Sequence, residues 1–262
     1  MNHLGKGPLN KYFTAVVFLL ACQLSVAQDV IKVAASDFPP YTIINGEHIT
    51  GIDIVLVNTI AKKLNYRIEY LPCPWKRCLK LMKQGKIDLL SGVYKRPERE
   101  EYMWFLQPHY VQATNSFYIN KYNSLQINQY SDLKNISIGI ERGTGVFEPF
   151  DSDASLNKHE VNKLSLAIKM TRLGRLDTFV GATIPTDYLL LKKNYHKDFK
   201  RAQLTITNEG TQGFITLSKR SRYHSKKNAF NEVLQGLKES GEIKRIIDLF
   251  SVGGDIPQYP IK

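Results

Sequence analysis

The hydrophobic positions of this chain predict strands and helices in alternation. Ile52, Leu56 and Ile60 recur every four residues, which is the spacing of an amphipathic helix. Short β-branched or alternating runs predict strands before and after it, at residues 30–35 and 67–71. Further strands are predicted over residues 114–120, 137–140, 178–182, 200–207 and 212–217, and further helices over residues 164–173, 185–191, 223–240 and 243–250. This succession places the protein in the α/β class.

One unit of the pattern occurs twice. A short helix after Trp75 is predicted to end at Gly85, and a buried strand follows Asp88. Residues 173–181 repeat the order of leucine-rich helix, glycine, cation, aliphatic residue, aspartate and buried strand. Two such units about ninety residues apart predict two similar α/β lobes. The alternative is chance, because helix–glycine–strand is common in α/β proteins.

Polar segments follow the predicted strands at the place where this class holds its ligands. In open α/β sheets, ligands lie outside the carboxyl ends of the strands, which is where residues 91–99 fall. Asp37 and Tyr41 are expected on a loop after the first strand, since two prolines exclude regular structure there. Residues 143–145 are predicted to open a helix whose N–H groups suit an anion. They match neither a P-loop nor the dinucleotide-binding glycine pattern.

The first 27 residues are predicted to be a signal peptide. Two lysines precede an apolar run over residues 13–22, and Ser25-Val26-Ala27 offers a small-x-small cleavage site. A rival cleavage before Cys22 would leave a lipid-anchored protein, and a retained membrane anchor is the third alternative. Of the three cysteines, Cys73 and Cys78 remain after cleavage and are predicted to form a disulfide. Two buried free thiols are the alternative.

Composition and charge argue against several classes of function. The 262 residues are 43% hydrophobic and 23% charged, as in an ordinary soluble protein. The net charge of +12 becomes about +10 without the two lysines of the signal peptide, and it favours anionic ligands. The charge is scattered, which argues against nucleic-acid binding. The six histidines are scattered too, without metal-site spacing or a nucleophile elbow, so neither metal, cofactor nor enzymatic activity is predicted.

Taken together, the motifs resemble the bacterial periplasmic solute-binding proteins of the polar amino-acid type, family 3, with the type II periplasmic binding fold. The resemblance covers nearly all of the mature chain. It is carried by the segments Asp37-Phe38-Pro39-Pro40-Tyr41, Gly51-Ile52-Asp53, Gly85-Lys86-Ile87-Asp88, Pro97-Glu98-Arg99, Pro108-His109-Tyr110, Asp132-Leu133-Lys134, Gly143-Thr144 and Gly241-Glu242-Ile243. It implies two lobes, each a mixed sheet flanked by helices, joined by two crossing strands. The expected division is residues 28–118 for the first part of lobe 1, 119–212 for lobe 2 and 213–262 for the return to lobe 1.

The resemblance also implies a set of ligand-binding residues. These are Arg99, Tyr41, Ser91, Gly92, Tyr94, Thr144, Gly145, Asp37 and Trp75. Arg99 matches the arginine that pairs with a ligand carboxylate, and its planar fork suits bidentate binding. Thr144 and Gly145 match a helix start that donates N–H groups to the same carboxylate. Tyr41 matches the aromatic cover, and the backbone at Ser91 and Gly92 matches the segment that receives the amino group.

Each role has a structural alternative. Arg99 could form a surface salt bridge with Glu98 or Glu100, and Tyr41 could pack on the prolines beside it. Trp75 at a helix start could belong to the core, and Tyr94 could pack between the lobes instead of lining the cleft.

Two departures from the family pattern affect the expected ligand. Tyr94 stands where the family usually has Ser or Thr, and Ala182 stands where amino-acid binders carry an aspartate for the α-ammonium. A buried ammonium without a counter-charge is costly, so an anionic ligand fits at least as well as a zwitterion.

The resemblance therefore implies a monomeric periplasmic protein that captures a small, polar, carboxylated solute for an ABC-type permease. The alternatives are a sensory or partner-binding module without a transporter, and a dehydratase-like enzyme on the same fold.

Overall fold

The strands of the protein form one large sheet and one small one. The computed structural model describes residues 28–143, 145–252 and 254–261, with the backbone alone at residues 208–210. The strands are β1 (Val30–Ala35), β2 (Ile43–Asn45), β3 (His48–Thr50), β4 (Arg67–Pro72), β5 (Leu89–Tyr94), β6 (Met103–Phe105), β7 (Val111–Asn120), β8 (Ser137–Glu141), β9 (Asn157–Val161), β10 (Thr178–Ala182), β11 (Phe199–Ser218) and β12 (Tyr259–Pro260). The large sheet has the order β4-β1-β5-β11-β7-β10-β8-β9, and β6 also pairs with β11.

Helices cover this sheet, as the predicted alternation requires. They are α1 (Ile52–Lys63), α2 (Trp75–Gln84), α3 (Pro97–Glu100), α4 (Leu164–Arg172), α5 (Thr183–Lys192), α6 (Lys227–Glu239) and α7 (Glu242–Val252). Among the described residues, none of the helices combines the length and the apolar character needed to cross a bilayer.

The two long central strands divide the sheet into halves. Strands β7 and β11 run antiparallel along one another from Asn120 and Phe199 to Val111 and Gly213. On one side β1 pairs in parallel with β4 and β5, and on the other β8 pairs in parallel with β9 and β10. We call these the first half, which also contains α1–α3, α6 and α7, and the second half, which also contains α4 and α5. Separate hydrophobic clusters fill the two halves.

The repeat seen in the sequence has the same local geometry in both halves. Gly85 has a φ of 70° and Gly174 a φ of 69°, a left-handed conformation that glycine adopts without steric cost. The Asp88 carboxylate accepts the N–H of Lys32 in β1 at 2.8 Å. The Asp177 carboxylate accepts the N–H of Ser137 in β8 at 2.7 Å. Each aspartate therefore ties the beginning of one strand to the first strand of its own half.

Several segments differ from the sequence-based prediction, three of them at strands of the two sheets. The strands predicted over residues 200–207 and 212–217 are one strand, β11, interrupted only by register shifts against β7. Residues 157–161 form β9 at the edge of the large sheet, where no strand was predicted. The tail, for which no strand was predicted, pairs with β3 through β12, and the Thr50 hydroxyl donates to the Pro257 carbonyl at 2.5 Å.

Candidate functional site

A cavity of about 420 Å³ opens at the carboxyl ends of β1 and β5, in the first half. Its wall contains seven of the nine residues predicted to bind ligand: Asp37, Tyr41, Trp75, Ser91, Gly92, Tyr94 and Arg99. The remaining wall comes from neighbouring residues of the first half and from the central strands: Ala34, Ser36, Phe38, Thr42, Asp53, Leu90, Arg96, Tyr110, Val111, Ala113 and Gly213. The described residues of β8–β10, α4 and α5 contribute nothing to this wall.

The loop after β1 is held against the start of α1 by backbone hydrogen bonds. The N–H of Ile52 donates to the Pro40 carbonyl at 3.0 Å, and the N–H of Asp53 donates to the Tyr41 carbonyl at 2.9 Å. Gly51 makes this approach possible, because a Cβ there would lie 2.2 Å from the Tyr41 carbonyl oxygen. The Tyr41 ring stacks on the exposed ring of Phe38 at a centroid distance of 5.7 Å. The loop therefore presents two aromatic rings at the cavity.

The Asp37 side chain is exposed at the cavity wall and also serves the loop itself. Its Oδ1 accepts the N–H of Ile44 in β2 at 3.1 Å. A carboxylate has further acceptor positions, so this bond leaves Asp37 able to accept another donor.

A disulfide fixes the segment that carries Trp75. Cys73 and Cys78 are bonded to each other, as the sequence predicted, and both are buried. The bond joins the residue after β4 to the first turn of α2, and Trp75 lies between the two cysteines. The indole is half-buried, lines the cavity and also packs against the core cluster around Cys78 and Met82.

Among the described residues, the cavity wall contains two cations, Arg96 and Arg99, and Arg99 is the buried one. It lies in α3 with 9% of its surface exposed. Its Nη1 donates to the Tyr94 carbonyl at 2.8 Å, and its Cζ lies 6.0 Å from the centre of the Trp75 ring. Burial and the neighbouring charge of Arg96 lower the pKa of Arg99, although a guanidinium stays protonated in proteins.

Arg99 also lacks the salt bridge that was its structural alternative. Within the described ranges, no carboxylate lies within 4 Å of its guanidinium. Glu100 pairs with Lys95 instead, at 2.9 Å. A buried cation with one carbonyl partner and several free N–H donors can receive a carboxylate.

Asp53 and Tyr110 belong to the same wall, and no role was predicted for them. Asp53 is 3% exposed, and the Tyr110 hydroxyl donates to its Oδ1 at 2.5 Å. Burial raises the pKa of Asp53 to about 7, and hydrogen bonds from Tyr110 and Ser91 oppose that shift. Burial, together with the charge of Asp53, also holds the pKa of Tyr110 well above its usual value. Both residues lie in segments that supported the family resemblance. Their roles were missed because a sequence motif does not show which of its side chains are buried.

The second half does not contain the anion-binding helix start predicted at residues 143–145. Thr144 lies outside the described residues, and Gly145 is exposed in an irregular segment that no helix follows. Pro149 has no N–H to donate, and the Val146 N–H donates to both oxygens of the Asp151 carboxylate, at 3.0 and 2.9 Å. The prediction of a helix there is wrong, and the N–H group at residue 146 already has the Asp151 carboxylate as its acceptor.

Two parallel-stranded halves, joined by two long strands, with a cavity at the strand ends, define a class of two-lobed binding proteins. Residues 31–251 match the family model described as bacterial extracellular solute-binding proteins, family 3. The chain therefore belongs to this family, and its two halves are the two lobes of the type II periplasmic binding fold.

Individual relatives are distant in sequence. The chain is 23% identical over 221 residues to the arginine-binding extracellular protein ArtP of Bacillus subtilis, covering 83% of this chain and 84% of the relative. It is 23% identical over 249 residues to the arginine-binding periplasmic protein of Mannheimia haemolytica, covering 92% and 98%. The second substrate-binding domain of Lactococcus lactis GlnP, in an open conformation, superposes with a TM-score of 0.74 at 20% identity, covering 87% and 97%. The match to this solved structure establishes the fold.

Proposed function

We propose that this protein captures a small, carboxylated, amino-acid-like solute in the cavity at the carboxyl ends of β1 and β5, on which the second half closes, and delivers it to an ABC-type permease. The observation that carries the proposal is the buried Arg99 guanidinium, held by the Tyr94 carbonyl and facing the cavity without a protein carboxylate beside it. Tyr41 covers the ligand, and the backbone at Ser91 and Gly92 receives its polar groups. Trp75, Tyr94 and Asp37 complete the binding wall.

The similar proteins support the same ligand class. Two of them are described as arginine-binding, and the family as a whole binds solutes. An arginine ligand carries an α-carboxylate, which is the group that the Arg99 fork fits. The protein acts as a monomeric carrier and releases its ligand unchanged.

Export is part of the proposal. Residues 1–27 lie outside the described residues, and we assign them as a cleaved signal peptide on the strength of the apolar run and the Ser25-Val26-Ala27 site. The disulfide between Cys73 and Cys78 is consistent with an oxidising compartment such as the periplasm. Lipid attachment at Cys22 is the competing form of export, and the mass of the mature N-terminal peptide distinguishes the two.

The lobe boundaries follow the central strands. We assign residues 28–118 to the first part of lobe 1, 119–212 to lobe 2, and 213–262 to the return into lobe 1. The support is that β11 pairs with β5 of the first half, β7 pairs with β10 of the second half, and β7 and β11 pair with each other, so the chain changes lobes within these two strands.

A thermal-shift screen of L-amino acids and dicarboxylates, followed by titration calorimetry of the compounds that bind, tests the proposal. Loss of a charge-assisted hydrogen bond costs about 1.5–3 kcal/mol, so Arg99→Ala should weaken binding roughly 10- to 100-fold. Arg77→Ala, an exposed arginine of α2 outside the cavity wall, is the matched control. Equal affinities for wild type and Arg99→Ala would refute the role of Arg99. Chemical conversion of the bound compound would refute the carrier function.

A further inference from the structure

A buried carboxylate lies in the wall of the cavity without a cation to balance it. Asp53 stands in the first turn of α1 and is nearly inaccessible to solvent, yet it contributes to the cavity wall. Its Oδ2 lies against Gly92 of β5, where an added Cβ would be 3.3 Å away. Because residue 92 has no side chain, the carboxylate lies directly beside the predicted ligand-binding backbone of β5.

The groups around Asp53 are hydroxyls and aromatic rings. The titratable groups that interact with it are Tyr41 from the loop after β1, Tyr70 from β4, Tyr94 from β5 and Tyr110 at the start of β7. Within the described ranges, no Lys, Arg or His nitrogen lies within 4 Å of its carboxylate. A buried carboxylate that is offset only by neutral donors is costly when ionised, and it retains lone pairs for a further donor.

We infer that Asp53 is the counter-charge for a protonated amine on the ligand, so that the cavity binds a zwitterion with its amine at Asp53 and its carboxylate at Arg99. This inference rests on the proposed function of Arg99. The tyrosine rings on the cavity side add cation–π attraction for the same amine. The position at which the resemblance places the amine's partner is Ala182, the exposed last residue of β10, so the charge comes from the other half of the molecule.

The placement of Asp53 makes binding depend on pH. With the cavity empty, burial raises the pKa of Asp53 to about 7, whereas a bound ammonium favours the ionised carboxylate and lowers that pKa. Below pH 7, the carboxyl must therefore release its proton to solvent before it pairs with the amine. Affinity should fall about 30-fold between pH 8 and pH 5.5. The surrounding tyrosines stay neutral over this range, because burial raises their pKa values further.

The experiment compares each L-amino acid that binds with its desamino carboxylic acid, by calorimetry from pH 5.5 to 8. At pH 8, wild type should bind the amino acid at least tenfold more tightly, and this preference should shrink as the pH falls. Asp53→Asn should remove both the preference and the pH dependence while it keeps binding of the desamino acid through Arg99. Asp248→Asn, on an exposed position of α7, is the matched control.

The possible contrary results distinguish failure of the role of Asp53 from failure of the proposed function. The role of Asp53 would be overturned if wild type bound the amino acid and its desamino analogue equally well. It would also be overturned if the affinity for the amino acid did not change between pH 5.5 and pH 8. Either result would leave the role of Arg99 intact. If Asp53→Asn does not fold, these two wild-type measurements still decide the matter. Failure of every carboxylate to bind, with and without an amine, would overturn the proposed function and this inference together.

Discussion

At the scale of single residues, Gly51 determines how closely the aromatic loop approaches α1. Its φ of 128° is a conformation that residues with a side chain rarely adopt, and the Tyr41 carbonyl oxygen occupies the space of a Cβ. Any other residue must move the loop backbone away from the first turn of α1. Tyr41 and Asp53 would then shift relative to one another, although neither is itself changed.

Gly51→Ala should therefore be strongly destabilising. The backbone conformation and the contact with a carbonyl oxygen together should cost at least about 2 kcal/mol of unfolding free energy. Urea denaturation of the purified mature protein measures this cost. Gly236→Ala is the matched control: Gly236 lies within α6 and a Cβ there meets nothing within 4 Å. It should stabilise by about 0.5–1 kcal/mol, and equal effects of the two substitutions would refute the argument.

The residues of the cavity differ in how readily the sequence revealed them. Arg99 and Tyr41 stand in motifs of the predicted loops, so their presence in the cavity wall could be anticipated. Asp53 could not, because its significance depends on burial and on Tyr110, which lies 57 positions away in the chain. The alternation of apolar residues assigns Asp53 to a helix start, where an acidic residue is ordinary.

At the scale of secondary structure elements, the long periodic segments were the predictable ones. Every helix predicted from a regular apolar spacing is present, with its ends shifted by at most four residues. The three-residue strands β2 and β3 were not predicted, since they are too short to show a periodicity. β11 was predicted as two strands because its middle is polar, and the pairing with β7 does shift register there, between Thr207 and Gln212, although the strand is continuous. The helix expected after residue 145 is absent, and it was predicted from a glycine motif without any regular apolar spacing.

The disulfide constrains the connection between β4 and α2. It closes a loop with a sequence separation of five between the end of β4 and the first turn of α2. In the chain-entropy account, a loop this short contributes about 2 kcal/mol. The double substitution Cys73→Ala and Cys78→Ala should lower the unfolding free energy by about that amount, measured by urea denaturation.

The same double variant should also bind ligand more weakly, because Trp75 is then less constrained at the cavity wall. Calorimetry with a compound from the thermal-shift screen provides this second measurement. Dithiothreitol added to the double variant is the control, since no disulfide remains for it to reduce. Full stability of the double variant would contradict the stabilising role, and unchanged affinity would show that packing alone positions Trp75.

At the scale of the whole molecule, the cavity and the contact between the halves lie on opposite faces of β7. Val111 and Ala113 line the cavity. The alternate side chains face α5: Thr114 and Ser116 each bond to the Thr183 hydroxyl at 2.8 Å, and the Tyr118 hydroxyl donates to Asp187 at 2.8 Å. Behind the strand, α5 of the second half contacts α7 of the first half. Rotation of the halves that narrows the cavity must therefore widen the space between α5 and α7.

The contact between α5 and α7 is apolar. Ile184 and Tyr188 of α5 pack against the core cluster that contains Ile243 and Ile246 of α7. Closure around a ligand has to break part of this contact, so part of the binding free energy is consumed in doing so. Weakening the contact should raise the population of the closed form and hence the apparent affinity.

Tyr188→Ala should therefore tighten ligand binding even though it removes packing. If the lost contact is worth about 1 kcal/mol, the dissociation constant should fall about fivefold. Calorimetry gives the dissociation constant. Tyr195→Ala is the matched control, because Tyr195 packs in the second half against Arg172 and the cluster around Phe179. A weaker or unchanged affinity for Tyr188→Ala would show that the contact behind β7 persists when the cavity closes.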